Sequence, residues 1–320
     1  MTYNELVTAI QSYTENQFPA VYLADGTTQS STSQINRFIE QAEQRIYNTI
    51  QFPSLRANVT GTTTAGNPYL SCPNDFLSVY SVAVYPTTGA NANQYTYLIN
   101  KDVNFIREAF PSTSSSFNQQ PQYYALFGPQ YGNVAELSFL LGPTPDQAYA
   151  VELHYYYYPP TIIQGAVTAL TIVTAGAGYT AGTYYDVPLN GGSGNSCIAT
   201  ITVNSSGIVT AITPTSGGAL YVVGDTLTAP TTIGASGTNF TCTVTTVSNA
   251  TGMTWLGDNY DSVLLYGCLV EAYTFMKSEA DIIAGVDGKY KEALMEAKRL
   301  GDGLERQDAY RSGQYRQKVT

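Results

Sequence analysis

The sequence predicts an α+β fold: a discontinuous helical bundle of about four helices, with β-strand excursions and an inserted all-β domain. Three observations carry this expectation. Apolar residues recur at helical spacing near both ends of the 320-residue chain. Between Leu55 and Pro160 the pattern changes to short β runs divided by turn residues. Residues 161–251 then form a compositional block of their own, with no Lys or Arg and only two acids, Asp186 and Asp225.

Thr2 followed by Glu5 is a capping-box pattern, after which Leu6, Val7, Ile10 and Tyr13 fall on one helical face, with Pro19 as the stop. Ser31 with Gln34 predicts the cap of a second helix, whose face is Ile35, Phe38, Ile39, Ala42, Ile46 and Ile50. Strands are expected at Arg56–Thr62, Pro68–Cys72, Leu77–Tyr85, Gln94–Leu98, Gln122–Phe127, Glu136–Leu141 and Val151–Tyr158. A short helix, Asn100–Glu108, interrupts them before Pro111. In the last strand Val151, Leu153, Tyr155 and Tyr157 share one face, and Glu152 and His154 the other.

Within 161–251, Gly178-Tyr179-x-x-Gly182 is echoed by Leu220-Tyr221-x-x-Gly224, each leading through a loop to a β run, Cys197–Val203 and Thr241–Val247. A duplicated unit of about forty residues predicts a small all-β domain of two similar halves. Helix returns at Trp255, with Asp258 or Asp261 as cap and Val263, Leu264, Cys268, Leu269, Ala272, Tyr273 and Met276 as its apolar side. Asp287-Gly288 is expected to break it. A final helix from Lys289 to about Leu300 carries Tyr290, Leu294 and Ala297 inward, with Gly301 and Gly303 marking its end. The predicted organisation is thus a core of 1–160 and 252–305, the insert 161–251, and an extended tail 306–320.

Only 12% of residues are charged, and the net charge is −10. From Lys289 onward, however, eight basic residues face five acids, so the acidity belongs to the body. An acidic body is unsuited to gripping a nucleic acid backbone but suits a channel wall along which DNA slides. The opening Met-Thr-Tyr-Asn-Glu shows no secretory signal, so Cys72, Cys197, Cys242 and Cys268 are expected as reduced thiols. No apolar run approaches membrane-spanning length.

The residues point away from enzymatic chemistry. His154 is the single histidine, and no Gly-x-Ser-x-Gly elbow accompanies it. Cys/His metal clusters and phosphate-cradling loops are missing, so no catalytic, metal or cofactor residue is expected. Asp186 and Asp225 show no pairing suited to two-carboxylate glycan cleavage. The tyrosines read as contact surface: Tyr155, Tyr156, Tyr157 and Tyr158, with Tyr123 and Tyr124, and Tyr179, Tyr184, Tyr185 and Tyr221 in the insert. A sugar-stacking role is their alternative. In the tail, Arg306, Asp308, Tyr310, Arg311, Tyr315 and Arg316 lack an apolar stripe and are of types enriched at binding hot spots, a hook waiting for a partner.

Several stretches together resemble the head-to-tail adaptor (connector) proteins of tailed bacteriophages, particularly short-tailed podovirus and cyanophage-like ones. They are Tyr3-Asn4-Glu5-Leu6 with Ile35-Asn36-Arg37-Phe38-Ile39, then Leu98 through Pro111, then Gln122-Tyr123-Tyr124-Ala125-Leu126-Phe127-Gly128, and Trp255-Leu256 through Leu264-Leu265-Tyr266-Gly267 to the tail. The resemblance implies a virion structural protein at the neck, a twelve-subunit ring (a dodecamer) beneath the portal. It implies DNA passing through the lumen during genome ejection, portal binding by the tail residues just named, and a platform for tail or nozzle and fibre proteins. Neither cofactor nor membrane enters, and assembly takes place in the host cytoplasm. The block 161–251 departs from the minimal family pattern. It offers the alternative of a carbohydrate- or receptor-binding virion protein acting through the β insert.

Overall fold

The cap pattern at the amino terminus folds as written. In the computed structural model, which describes residues 1–22, 28–50, 52–89, 91–112, 114–128, 137–229 and 239–312, α1 spans Tyr3–Thr14. Thr2 and Glu5 close the full capping box: Thr2 Oγ1 accepts the Glu5 N–H, and Glu5 Oε2 accepts the Thr2 N–H at 2.7 Å. The helix ends before the predicted Pro19 stop, because Glu15 turns left-handed (φ 49°). After the short pair β1 (Val21–Tyr22) and β2 (Thr28–Gln29), α2 runs Ser31–Thr49. Its cap is Ser30, not Ser31: Ser30 Oγ accepts the Ser33 N–H, while Ser31 donates to the Gln17 carbonyl. Gln34 takes no part in a capping box, since its buried amide donates to the Pro19 carbonyl at 3.0 Å.

The chain forms two compact units, one of Met1–Ile50 with Pro160–Leu300, the other of Gln51–Pro159 with the stretch from Gly301. In the second, a 3₁₀ turn at Pro53–Leu55 leads into β3 (Arg56–Thr62), β4 (Tyr69–Ser71), β5 (Phe76–Tyr85), β6 (Thr96–Tyr97) and β7 (Ile99–Asn100). Then come α3 (Val103–Ala109), β8 (Tyr123–Phe127), β9 (Ser138–Gly142) and β10 (Ala150–Tyr157). The predicted Gln94–Leu98 strand shrinks to β6. Asn100, expected to open the helix, belongs instead to β7, which pairs parallel to β8. Two four-stranded sheets result, β3-β10-β5-β6 and β4-β9-β8-β7. Their shared core is Val82, Val84, Val151, Leu153 and Tyr155 against Tyr124, Phe139 and Leu141. Phe139 is fully buried, meeting Phe76 and Tyr124 edge-on at 5.7 and 5.6 Å.

Among the described residues of 161–251 there are seven strands: β11 (Ala166–Thr174), β12 (Gly182–Pro188), β13 (Asn190–Gly191), β14 (Ile198–Val203), β15 (Val209–Ser216), β16 (Thr226–Thr228) and β17 (Thr241–Ser248). The two similar halves exchange their first strands. β11 pairs with β17 of the second half, and β15 with β14 of the first. Two buried tyrosines at the repeated position lock the exchange reciprocally. Tyr179 Oη accepts the Phe240 N–H at 2.7 Å, and Tyr221 Oη accepts the Cys197 N–H at 3.3 Å. Their own N–H groups donate to the carbonyls of Gly207 and Gly165, each at 3.1 Å. Those glycines sit at φ 72° and 66°, where an added Cβ would lie within 2.8 and 2.5 Å of the tyrosine carbonyls, so the close crossing requires glycine.

Helix resumes with α4 (Trp255–Asn259) and α5 (Asp261–Phe275). The cap is Thr254, whose hydroxyl accepts the Gly257 N–H, rather than either aspartate. α5 is buried on most sides because helices pack around it: Val263, Leu264, Cys268, Leu269 and Ala272 are all buried. At Gly267 an added Cβ would stand 3.3 Å from both Ala42 of α2 and the Tyr290 ring. The expected break at Asp287-Gly288 does not occur. The chain turns earlier, at left-handed Lys277, where Ser278 donates to the Tyr273 carbonyl. α6 then runs unbroken over Ala280–Ser312, through Gly288, Gly301 and Gly303. Each helical glycine costs only about 1 kcal/mol relative to alanine. A stripe of half-buried Ile283, Val286 and Leu294 with buried Tyr290 and Ala297, together with an Asp287–Lys291 ion pair at 2.6 Å, outweighs Gly288.

Two consequences can be measured by denaturant titration. Gly267→Val should destabilise by about 1–3 kcal/mol through overpacking between the helices. Tyr179→Phe and Tyr221→Phe should each cost about 1–3 kcal/mol, because each leaves a buried N–H without its acceptor. Equal stability of either phenylalanine variant and the parent would refute the clasp.

Candidate functional site

The outward face of sheet β3-β10-β5-β6 gathers aromatic, basic, acidic and hydroxyl side chains. A β-bulge makes it. His154 of β10 pairs with Ser81, but Tyr155 pairs with Val79, so Tyr80 is the extra residue and stands on the same side as Ser81. Along β10 the alternation follows the sequence expectation. Val151, Leu153 and Tyr155 enter the core with Tyr157 packed against them, and Glu152 and His154 lie on the outer face. Burial, with the Asp75 carboxylate accepting its hydroxyl at 3.0 Å, pushes the Tyr155 phenol up to about 12.

Tyr156 lies on the outer face yet is buried, because Arg56 covers it. The guanidinium donates to Tyr156 Oη at 2.8 and 3.1 Å and stands 4.2 Å from the Tyr80 ring centroid. Of the four consecutive tyrosines, Tyr155 and Tyr156 are buried, Tyr157 is half-buried and Tyr158 is the most exposed. The rings that do face solvent here are Tyr80, Tyr95 and Tyr97, the last 64% exposed. Sequence reasoning missed Tyr80 because the bulge that turns it outward leaves no mark in residue periodicity. In the insert, Tyr179 and Tyr221 are clasp residues within the core, and Tyr185 is exposed.

Between the rings runs a polar chain. Ser81 Oγ is 3.2 Å from His154 Nδ1, His154 Nε2 is 3.3 Å from Glu152 Oε1, and Asn58 donates to the same carboxylate oxygen at 3.3 Å. A hydroxyl, an imidazole and a carboxylate in line are ingredients of acyl transfer, but these sit on an open sheet face. Cavities of about 330 and 340 Å³ lie elsewhere, lined by Gln41, Gln44, Arg45, Asn48 and Glu271, and around Phe110, Phe117 and Pro143. Hydrogen-bonding groups between exposed rings on an open face can orient a partner surface. Asp225 is occupied internally: it accepts from Ser193 N and Oγ and from Val222 N, and the Ser193 hydroxyl above all holds its carboxyl below the usual range. Among the described residues no cluster of metal-ligating side chains occurs, and no helix is long and apolar enough to cross a membrane.

The tail residues divide. Arg306, Asp308, Tyr310 and Arg311 lie on the last turns of α6, so this stretch is helical where an extended segment was expected. Strong helix formers flank the glycines here (Leu300, Leu304, Glu305, Arg306, Gln307, Ala309), which is why the stop at Gly301 is overrun. Tyr315 and Arg316 fall outside the described residues.

Comparison with known families decides what kind of protein carries these surfaces: residues 1–185 match the SU10 adaptor protein family. The chain belongs to that family. No curated protein matches it. The match takes in α1, α2, the whole of 51–159, β11 and half of β12, and stops before the carboxy-terminal helices. An SU10-type adaptor is a phage virion component with a structural, non-enzymatic role. It associates with portal and tail components.

In this adaptor, Arg56→Ala should lower stability by about 1–2 kcal/mol, since it strips the cover from Tyr156 and leaves its hydroxyl unpaired by the guanidinium. Tyr97→Ala should change stability by less than about 0.5 kcal/mol. Chemical denaturation of both variants checks the contrast; a large loss for Tyr97→Ala would place that ring in the core rather than on a contact surface.

Proposed function

We propose that the adaptor closes into a ring of twelve copies between portal and tail, passes DNA through its lumen, and docks to the portal through its carboxy-terminal segment, residues 306–320. Family membership over 1–185 is the observation that carries this reading. The charge distribution supports it: an acidic body repels a sliding DNA backbone, while a basic end is drawn to an acidic neighbour. Helix α6 supports it as well. At about 1.5 Å per residue its 33 residues extend roughly 50 Å, and the basic residues lie on its final turns and beyond.

On this reading the helices α1, α2, α5 and α6 act as a four-helix bundle that holds the ring together. Tyr80, Tyr95, Tyr97 and Tyr158 then serve contact between subunits or with tail, nozzle and fibre proteins. The block 161–251 projects toward those tail components. Its near absence of charge suits protein contact, and the adaptor family favours this over carbohydrate binding.

Co-expression with the portal protein tests the proposal. Deleting residues 306–320 should leave a folded adaptor with an unchanged thermal midpoint that no longer co-purifies with portal, while Tyr97→Ala should weaken ring assembly and leave folding intact. If the shortened chain still joins the portal at parental stoichiometry, docking by this segment is wrong.

A further inference from the structure

The helices and the β block meet at a buried carboxylate. Glu43, on α2, is only 5% exposed, and its Oε1 accepts the Ile162 N–H at 2.9 Å. The Thr161 hydroxyl bonds the same carboxylate. The Thr161 carbonyl in turn accepts the Asn249 side-chain amide at 2.8 Å, so the segments that enter and leave the β block are held at one point. A second strand of bonds runs alongside: Tyr3 N donates to the Gly252 carbonyl, and Tyr3 Oη to Asn36, whose amide reaches the Gly218 carbonyl.

Among the described residues, the surroundings of Glu43 hold no compensating charge. Among the described residues, the charged group acting on it is Glu40, one turn away and of the same sign, itself raised by burial and partly offset by Arg37. From α5 come Cys268, a buried thiol held protonated by desolvation, and Glu271, which is occupied by Arg45. From α1 comes the Tyr3 phenol, pushed up to about 12 by burial and bonded to Asn36; from α6 comes the Tyr290 phenol, also raised by burial. The Thr161–Ile162 strap offers a hydroxyl and an N–H but no cation. Nothing in the phage-adaptor role requires an acid here, and a glutamine would accept the same N–H.

We propose that Glu43 is a proton-operated latch between α2 and the root of the 161–251 block: protonated, it holds the strap in place; ionised, it loosens the strap and lets the block shift on the helices. Burial outweighs the two strap bonds, which by themselves favour the ionised form, and raises the carboxyl from 4.5 to about 7, the range in which the latch works. Because the closed value lies above the open one, the latch is fully effective below about 4.5 and is lost as pH rises through about 7. The inference is independent of portal docking and of ring formation.

Amide hydrogen exchange on the full-length chain between pH 5 and 8.5, corrected for intrinsic exchange rates, tests it. The opening constant of the amides from Thr161 to Gln164 should rise by up to about tenfold per pH unit and level off above about 7. Amides of β8 and β9 should show no such slope. Glu43→Gln, which keeps the acceptor and removes the titration, should flatten the profile at 161–164. A flat profile in the parent protein overturns the latch whether or not the variant folds, and so does a variant that keeps the parental slope.

Discussion

The architecture depends on one long-range contact, the packing of α5 against α2. Arg45 and Glu271, 226 positions apart, pair across it, and Gly267 brings α5 close enough for Ala42 and Tyr290 to touch the same point. Everything between the two helices must leave and return without disturbing that seam. The chain therefore makes two excursions, one from Gln51 to Pro159 and one through the β block, each with its own apolar core. Closing so large a loop carries an entropic penalty that grows slowly with its length, and self-contained excursions keep it tolerable.

Each excursion solves a different problem. The two sheets of 51–159 bury one face against the other, which leaves the outer face of β3-β10-β5-β6 free for Tyr80, Tyr97, Glu152 and His154. The β block has few charges with which to protect its edges. Strand exchange between its halves answers part of this, for β11 covers one edge of β17 and β15 one edge of β14. The tyrosine clasps then make neither half separable from its partner.

Much of this was legible in residue order. The Thr2–Glu5 cap, the limits of β3, the inward set Val151, Leu153, Tyr155 and Tyr157, and the repeat at Tyr179 and Tyr221 all rest on local chemistry that the sequence records directly. What escaped depends on partners far away. The bulge at Tyr80 is set by pairing with β10, and the burial of Tyr156 by Arg56, 100 positions earlier. Glycine does not stop the helix at 288 and 301, where a partly buried stripe and strong helix formers prevail. Glu43 was visible in principle: an acid on the apolar face beside Ile39, Ala42 and Ile46 marks a buried carboxylate that must find donors.

A scaffold of this kind works by contact. Its low charge, exposed rings and basic end are properties of a part that joins other parts, and family membership gives those properties a place in the virion. The most direct test is electron cryomicroscopy of intact phage particles focused on the vertex where capsid meets tail. If the chain is a neck adaptor, several symmetry-related copies of it stand there, between portal and tail, with α6 turned toward the portal. A resolved vertex whose density leaves no room for α2, α5 and the twin-half β block would contradict it.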